Sequence, residues 1–252
     1  MKTLILFPHG LGDCILLTPT LRELYNKFGM KVDIVTLKRF ESAMLFDNCP
    51  YVDKIFYSKD AWHDFEHGNV ELAFNTLFNE WGKFAEENGY KQYGMPMHRG
   101  SQNKITMNAD YFGLQLEDTH TEIFTTDEDK KNADKLIEEF VGDEKYGFVQ
   151  TETGVVQKNL PEGYGRKWLS DNKGIKNVIE IGKEIGVFDY NINVQFEILR
   201  RASSVCIPDS VFYHACHAIG KDIDFVYFGR GEGVYNRVKP LHKVNENVRY
   251  SL

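Results

Sequence analysis

The chain has 252 residues, 42% hydrophobic and 13% aromatic, with a net charge of −7, enough apolar material for one large domain or two small ones. No apolar run approaches the ~20 residues of a membrane-spanning helix, and residues 1–7 run into a glycine turn with no small-residue cleavage site, so neither a span nor a signal peptide is expected. The four cysteines, Cys14, Cys49, Cys206 and Cys216, lack CxxC spacing, which reads as buried, reduced thiols in a cytoplasmic protein.

In chain order, residues 2–7 read as a buried strand that bends through Gly10 and Gly12 into an amphipathic segment. Leu17, Leu21, Leu24 and Phe28 recur at helical spacing, which predicts a helix over residues 13–28, stopped by Gly29. Strand, tight turn and helix start are how α/β folds build a nucleotide or anion cleft. Here Asp13 would repel a pyrophosphate, so the turn suits a general base better than a phosphate; the plainer reading of Asp13 is a helix cap. Lys31 to Leu37 and Val52 to Tyr57 read as strands, 40–47 as a short helix, and Val70 to Asn75 as a further strand. Residues 79–105 show little periodicity and read as loop with short helices, where His98, Arg99 and Lys104 are candidate acceptor contacts.

Residues 117–144 carry eleven acidic residues against three lysines, a net charge of −8, so the rest of the chain sums to +1. Within them, 127–141 predicts an amphipathic helix with Ala133, Leu136, Ile137 and Phe140 on one face and an acidic first turn. Tyr146 to Thr151 opens a second half as a strand. Phe196, Leu199 and Ala202 mark a helix, Val205 to Ile207 a strand, His214 to Ile219 a helix and Asp224 to Phe228 a strand. Residues 230–252 carry a net +3 and read as surface or as a face for an anionic partner. The alternation predicts an α/β fold with two Rossmann-like domains, 1–140 and 141–252, whose parallel sheets face across a cleft.

Three stretches carry a family resemblance. Gly12-Asp13-Cys14-Ile15-Leu16-Leu17-Thr18-Pro19 resembles the opening motif of the heptosyltransferase-like glycosyltransferases, glycosyltransferase family 9. Lys158-Asn159-Leu160-Pro161 is similar to their Lys-x-Trp-Pro segment. Ala202 to His214 resembles their second signature, Asp-Ser/Thr-Gly with a His five residues after the Asp, and Phe228-Gly229 their next strand end. The resemblance implies a GT-B fold, with the acceptor on the N-terminal domain and a nucleotide-sugar donor on the C-terminal one. It implies Asp13 as the base that deprotonates the acceptor hydroxyl, Thr153 and Lys158 as donor-phosphate contacts, and Asp209, Ser210 and His214 as the donor signature. Gly10 and Gly12 would shape the acceptor-side turn; Gly229 to Gly233 reads either as a plain loop or as a donor-side loop in which Arg230 meets a phosphate, and Arg166 or Lys167 are alternatives to Lys158. It implies no metal and no cofactor beyond the nucleotide-sugar itself. Val211 departs from the pattern, standing where the family has Gly, and a β-branched residue resists positive φ. Tyr213 is bulkier than usual.

The first expected function is therefore metal-independent sugar transfer to a cell-envelope saccharide, in a bacterial cytoplasm. The second is a phage enzyme of the same fold acting on hydroxymethylated DNA, favoured by the Lys/Asn/Phe/Tyr-rich, Pro-poor composition and expected to bind with steep salt dependence. The third is a nucleotide-binding protein without turnover. Ile15 stands where a dinucleotide fingerprint needs its third glycine, which argues against an oxidoreductase. His214 and His217 beside Cys206 and Cys216 match no zinc spacing.

Overall fold

A computed structural model describes residues 2–59, 70–98, 100–182, 185, 190–243 and 245–252. The N-terminal half comprises β1 (Thr3–Leu6), α1 (Leu11–Phe28), β2 (Val32–Leu37), β3 (Val52–Ser58), α2 (Val70–Glu87), β4 (Gln92–Gly94) and α3 (Lys104–Tyr111). The C-terminal half comprises α4 (Asp127–Val141), β5 (Gly147–Gln150), α5 (Tyr164–Lys173), β6 (Val178–Ile181), α6 (Ile192–Arg201), β7 (Ser204–Pro208), α7 (Val211–Ile219), β8 (Ile223–Tyr227), α8 (Glu232–Val238) and β9 (Glu246–Arg249).

The strands form two sheets, ordered β3-β2-β1-β4 and β6-β5-β7-β8-β9. Every pairing is parallel. Parallel strands are covered on both faces and so read as unbroken apolar runs; β1, β5 and β7 are buried throughout. In each sheet the strand order reverses once, between β1 and β4 and between β5 and β7. Such switch points open a crevice at the carboxyl ends of the strands. The helix α1 packs on α7 and on α3, and α4 packs on α6. One apolar cluster runs from Ile5 and Leu17 through Phe148 to Phe212, so the two halves share a core. Among the described residues no helix is long and apolar enough to cross a membrane.

The parallel α/β architecture agrees with the sequence reading, which does not place α5, β6, α8 or β9; four further elements depart from it. Residues 70–75 are not a strand: they open the 18-residue helix α2. Its apolar face continues through Phe74, Leu77, Trp81, Phe84 and Ala85 at helical spacing, into a segment read as loop. The three-residue β4 hides in the same segment and is defined by its partner, β1. The short helix at 40–47 is a 3-10 turn at Lys38–Ala43. Finally, α1 begins at Leu11, not residue 13, with Gly10 as its N-cap.

Candidate active site

The residue that begins the site is Asp13, in the first turn of α1. It does not cap that helix, whose cap residue Gly10 has no side chain to offer. Its carboxylate reaches across the β1/β4 switch point to α3, where Lys104 Nζ donates to Oδ1 at 2.5 Å. Two histidines line the same crevice. His9, just after β1, has Nε2 2.9 Å from Pro96 O, and His98, just after β4, has Nε2 2.8 Å from Asn108 Oδ1. The rings stack with centroids 4.2 Å apart. His98 Nδ1 lies 4.0 Å from Asp13 Oδ2. Burial opposes charge on Asp13, but Lys104, His98 and His9 together outweigh it and hold the carboxyl well below the usual carboxylate range. Burial, reinforced by His98, pushes His9 down to about 3, so it is neutral. Burial lowers His98 as well.

The second cluster stands at the β5/β7 switch point. Asp209 follows β7 and is buried. Its Oδ2 takes Lys158 Nζ at 3.0 Å and Arg230 Nη2 at 2.9 Å. Burial again opposes the charge, and Lys158, His214 and Arg230 outweigh it to lower the Asp209 carboxyl. Gly229 makes this meeting possible. A Cβ there would fall 2.3 Å from Gln157 O, on the turn that carries Lys158. Ser210 is the N-cap of α7 and its Oγ accepts from Phe212 N at 3.2 Å.

His214 joins the clusters. It is buried, and its ring presses on the first turn of α1 so closely that a Cβ on Gly12 would sit 2.5 Å from His214 Cδ2. Burial pushes His214 down to about 3. The glycine of the opening motif is therefore required by a contact between the two halves. Gly10, by contrast, has no atom within 4 Å of where its Cβ would be.

The structure brings Asp13, Gly12, His98, Lys158, Asp209, Arg230 and His214 together. Thr153 Oγ1 donates to Val155 O and its N–H to Asn159 Oδ1, at 2.9 and 2.7 Å, so its polar groups shape the loop before Lys158. Arg166 is held by Glu180 at 2.7 Å, and Lys167 forms an exposed pair with Asp171. Arg99 lies outside the described residues. Val211 opens α7 and is not at positive φ, since Met44 is the only non-glycine there among the described residues. His217 faces Glu246 at 3.3 Å, and all four cysteines are free and buried. Burial pushes the Cys206 thiol up to about 12. The sequence reading missed His9, Asn108 and Arg237, whose Nη2 donates to His98 O at 3.0 Å from the supposed surface tail. No spacing marks them, because each arrives from a different element.

No protein-family model and no curated protein sequence matches the chain. Solved structures do. A glycosyl transferase family 9 protein from Veillonella parvula DSM 2008 matches 98% of this chain and 85% of its own, with a TM-score of 0.67 at 12% identity. The E. coli ADP-heptose LPS heptosyltransferase II matches 99% and 90%, with a TM-score of 0.67 at 10% identity. The E. coli heptosyltransferase WaaC with ADP matches 98% and 92%, with a TM-score of 0.60 at 14% identity. Over nearly its whole length, the chain has the GT-B fold of this family 9 glycosyl transferase and these heptosyltransferases.

Proposed function

We propose that the chain is a glycosyltransferase that moves a sugar from a nucleoside-diphosphate donor to an acceptor hydroxyl. The observation that carries the reading is the facing pair of clusters: Asp13 with Lys104 at one switch point, Asp209 with Lys158 and Arg230 at the other, joined through the Gly12–His214 contact. In this reading residues 1–140 hold the acceptor and 141–252 the donor. The departing diphosphate draws Lys158 and Arg230 from Asp209, and those two cations meet its charge without a metal ion. Asp13 takes the acceptor proton as the hydroxyl attacks, and a single displacement inverts the anomeric carbon. Carboxylates paired with lysine are weak bases, so the acceptor must draw Lys104 off Oδ1 before Asp13 can act. The fold likeness favours an ADP-linked sugar as donor and a cell-envelope saccharide as acceptor, in the bacterial cytoplasm.

The test is a thermal-shift screen of ADP, GDP and UDP, repeated on two variants. A nucleotide present at 100 times its dissociation constant adds about 2.7 kcal/mol of stability. The wild type is expected to shift with one nucleotide, Lys158→Ala to lose that shift, and Asp13→Asn to keep it while losing ~10²–10⁴-fold in donor turnover. No shift with any nucleotide would leave the transferase reading without a donor site. Turnover with hydroxymethylated DNA as acceptor would replace the saccharide.

A further inference from the structure

We propose that His9, Asp13 and His98 form a binding site for one divalent first-row transition ion, such as Zn²⁺ or Co²⁺, at the β1/β4 switch point. The argument begins with tautomers. A carbonyl oxygen can only accept, so His9 Nε2, 2.9 Å from Pro96 O, carries the proton and Nδ1 keeps a lone pair. Asn108 donates its Nδ2 to Leu16 O, which turns its Oδ1 towards His98. His98 Nε2 is therefore protonated too, and Nδ1 is again a bare acceptor.

His98 Nδ1 is buried and has no hydrogen-bond partner. Its side chain is only 5% exposed, and this nitrogen faces Asp13 Oδ2, another acceptor, across 4.0 Å. Two lone pairs that face each other in a buried site need a cation or a proton between them. One ligand atom from each of His9, Asp13 and His98 lies within 4.8 Å of the other two. Both imidazoles donate their outer N–H to an oxygen, the arrangement that orients metal-bound histidines. Two imidazoles and one carboxylate suit a borderline ion better than Mg²⁺ or Ca²⁺. Lys104 occupies Oδ1 and leaves Oδ2 to the ion. As a like charge it competes with that ion.

The site follows from these contacts alone. Its role rests on the transferase reading: an ion there would leave a position open for the acceptor oxygen and lower that hydroxyl's pKa. The diphosphate remains with Lys158 and Arg230 on the donor side.

The full chain, stripped with EDTA, is titrated with Co²⁺ and then with Zn²⁺ or Mg²⁺. One Co²⁺ per chain with visible absorption bands is expected, displaced by Zn²⁺ and not by Mg²⁺. Asp13→Asn and His98→Ala should each weaken binding by ~10-fold or more. Lys104→Gln should tighten it, a gain that misfolding cannot produce. Absent cobalt bands, unchanged affinity in both ligand variants, or weaker binding in Lys104→Gln would overturn the proposal. Nucleotide stabilisation through Lys158 is read separately, so either proposal can fail while the other stands.

Discussion

Gly12 and Gly10 sit two residues apart in one turn and have different reasons to be glycine. At Gly12 any side chain would enter the His214 ring, while at Gly10 the space is open. Gly12→Ala is expected to cost about 1–3 kcal/mol, because a buried imidazole must move with its helix. Gly10→Ala is expected to cost under about 1 kcal/mol, the loss of a tolerable N-cap residue. Urea midpoints of the two variants check the contrast, and equal midpoints would remove the steric account of Gly12. Of the residues that carried the resemblance, Asp13 was legible beside Gly12 and Asp209 beside the end of a strand, while Lys158 and His214 were legible only through the motifs that contain them. Lys104 was read only as a candidate acceptor contact in a loop. Its partnership with Asp13 spans 91 positions, and no local pattern encodes that.

Helix α4 shows what an element can declare about itself. Thr126 Oγ1 accepts from Asp129 N at 3.1 Å, and Asp129 Oδ2 accepts from Thr126 N at 2.8 Å, a reciprocal capping box. Asp129 also takes Asn191 Nδ2 at 3.1 Å, which ties the start of α4 to the start of α6. Thr126→Ala should lower stability by about 1 kcal/mol, measured by denaturant unfolding, because one amide loses its acceptor. The helix was legible from 127–141 because its caps and its apolar stripe coincide. For α2 the two signals conflicted. Its first residues favour a strand by composition, and the stripe that decides for helix completes itself only by Ala85. The strand β4 carries no signal of its own. Three residues cannot show a period, and it becomes a strand by pairing with β1.

At the scale of the molecule, charge and fold are coupled through the buried histidines. His9 and His214 fall from about 6.5 to about 3 on folding, both through burial first. Below pH 6.5 the unfolded chain binds protons that the folded chain refuses. Stability from these groups is therefore complete above pH 6.5 and lost as the pH falls towards 3, at no more than about 1.4 kcal/mol per pH unit for each. Asp13 and Asp209, lowered by their cations, add a further loss below the usual carboxylate range. Urea midpoints between pH 8 and pH 5 should be level at first and then decline, with a shallower decline in His214→Gln. A level profile over the whole range would contradict burial of neutral histidines.

Arg22 illustrates how the segment leading to α4 is held. It donates to His120 O and Asp118 O and pairs with Glu122, which draws part of the acidic connection back onto α1. The sequence alone determined the alternation of strands and helices, the parallel sheets and the carboxylates at two strand ends. Those features arise from period, glycine placement and short-range backbone chemistry. Only the tertiary structure decided that Lys104 pairs with Asp13, that His214 fills the space over Gly12, and that His98 brings an unpartnered ring nitrogen to face Asp13. Contacts of that kind depend on which crevice each strand end faces, and the strand order that sets this comes from packing two layers against each other.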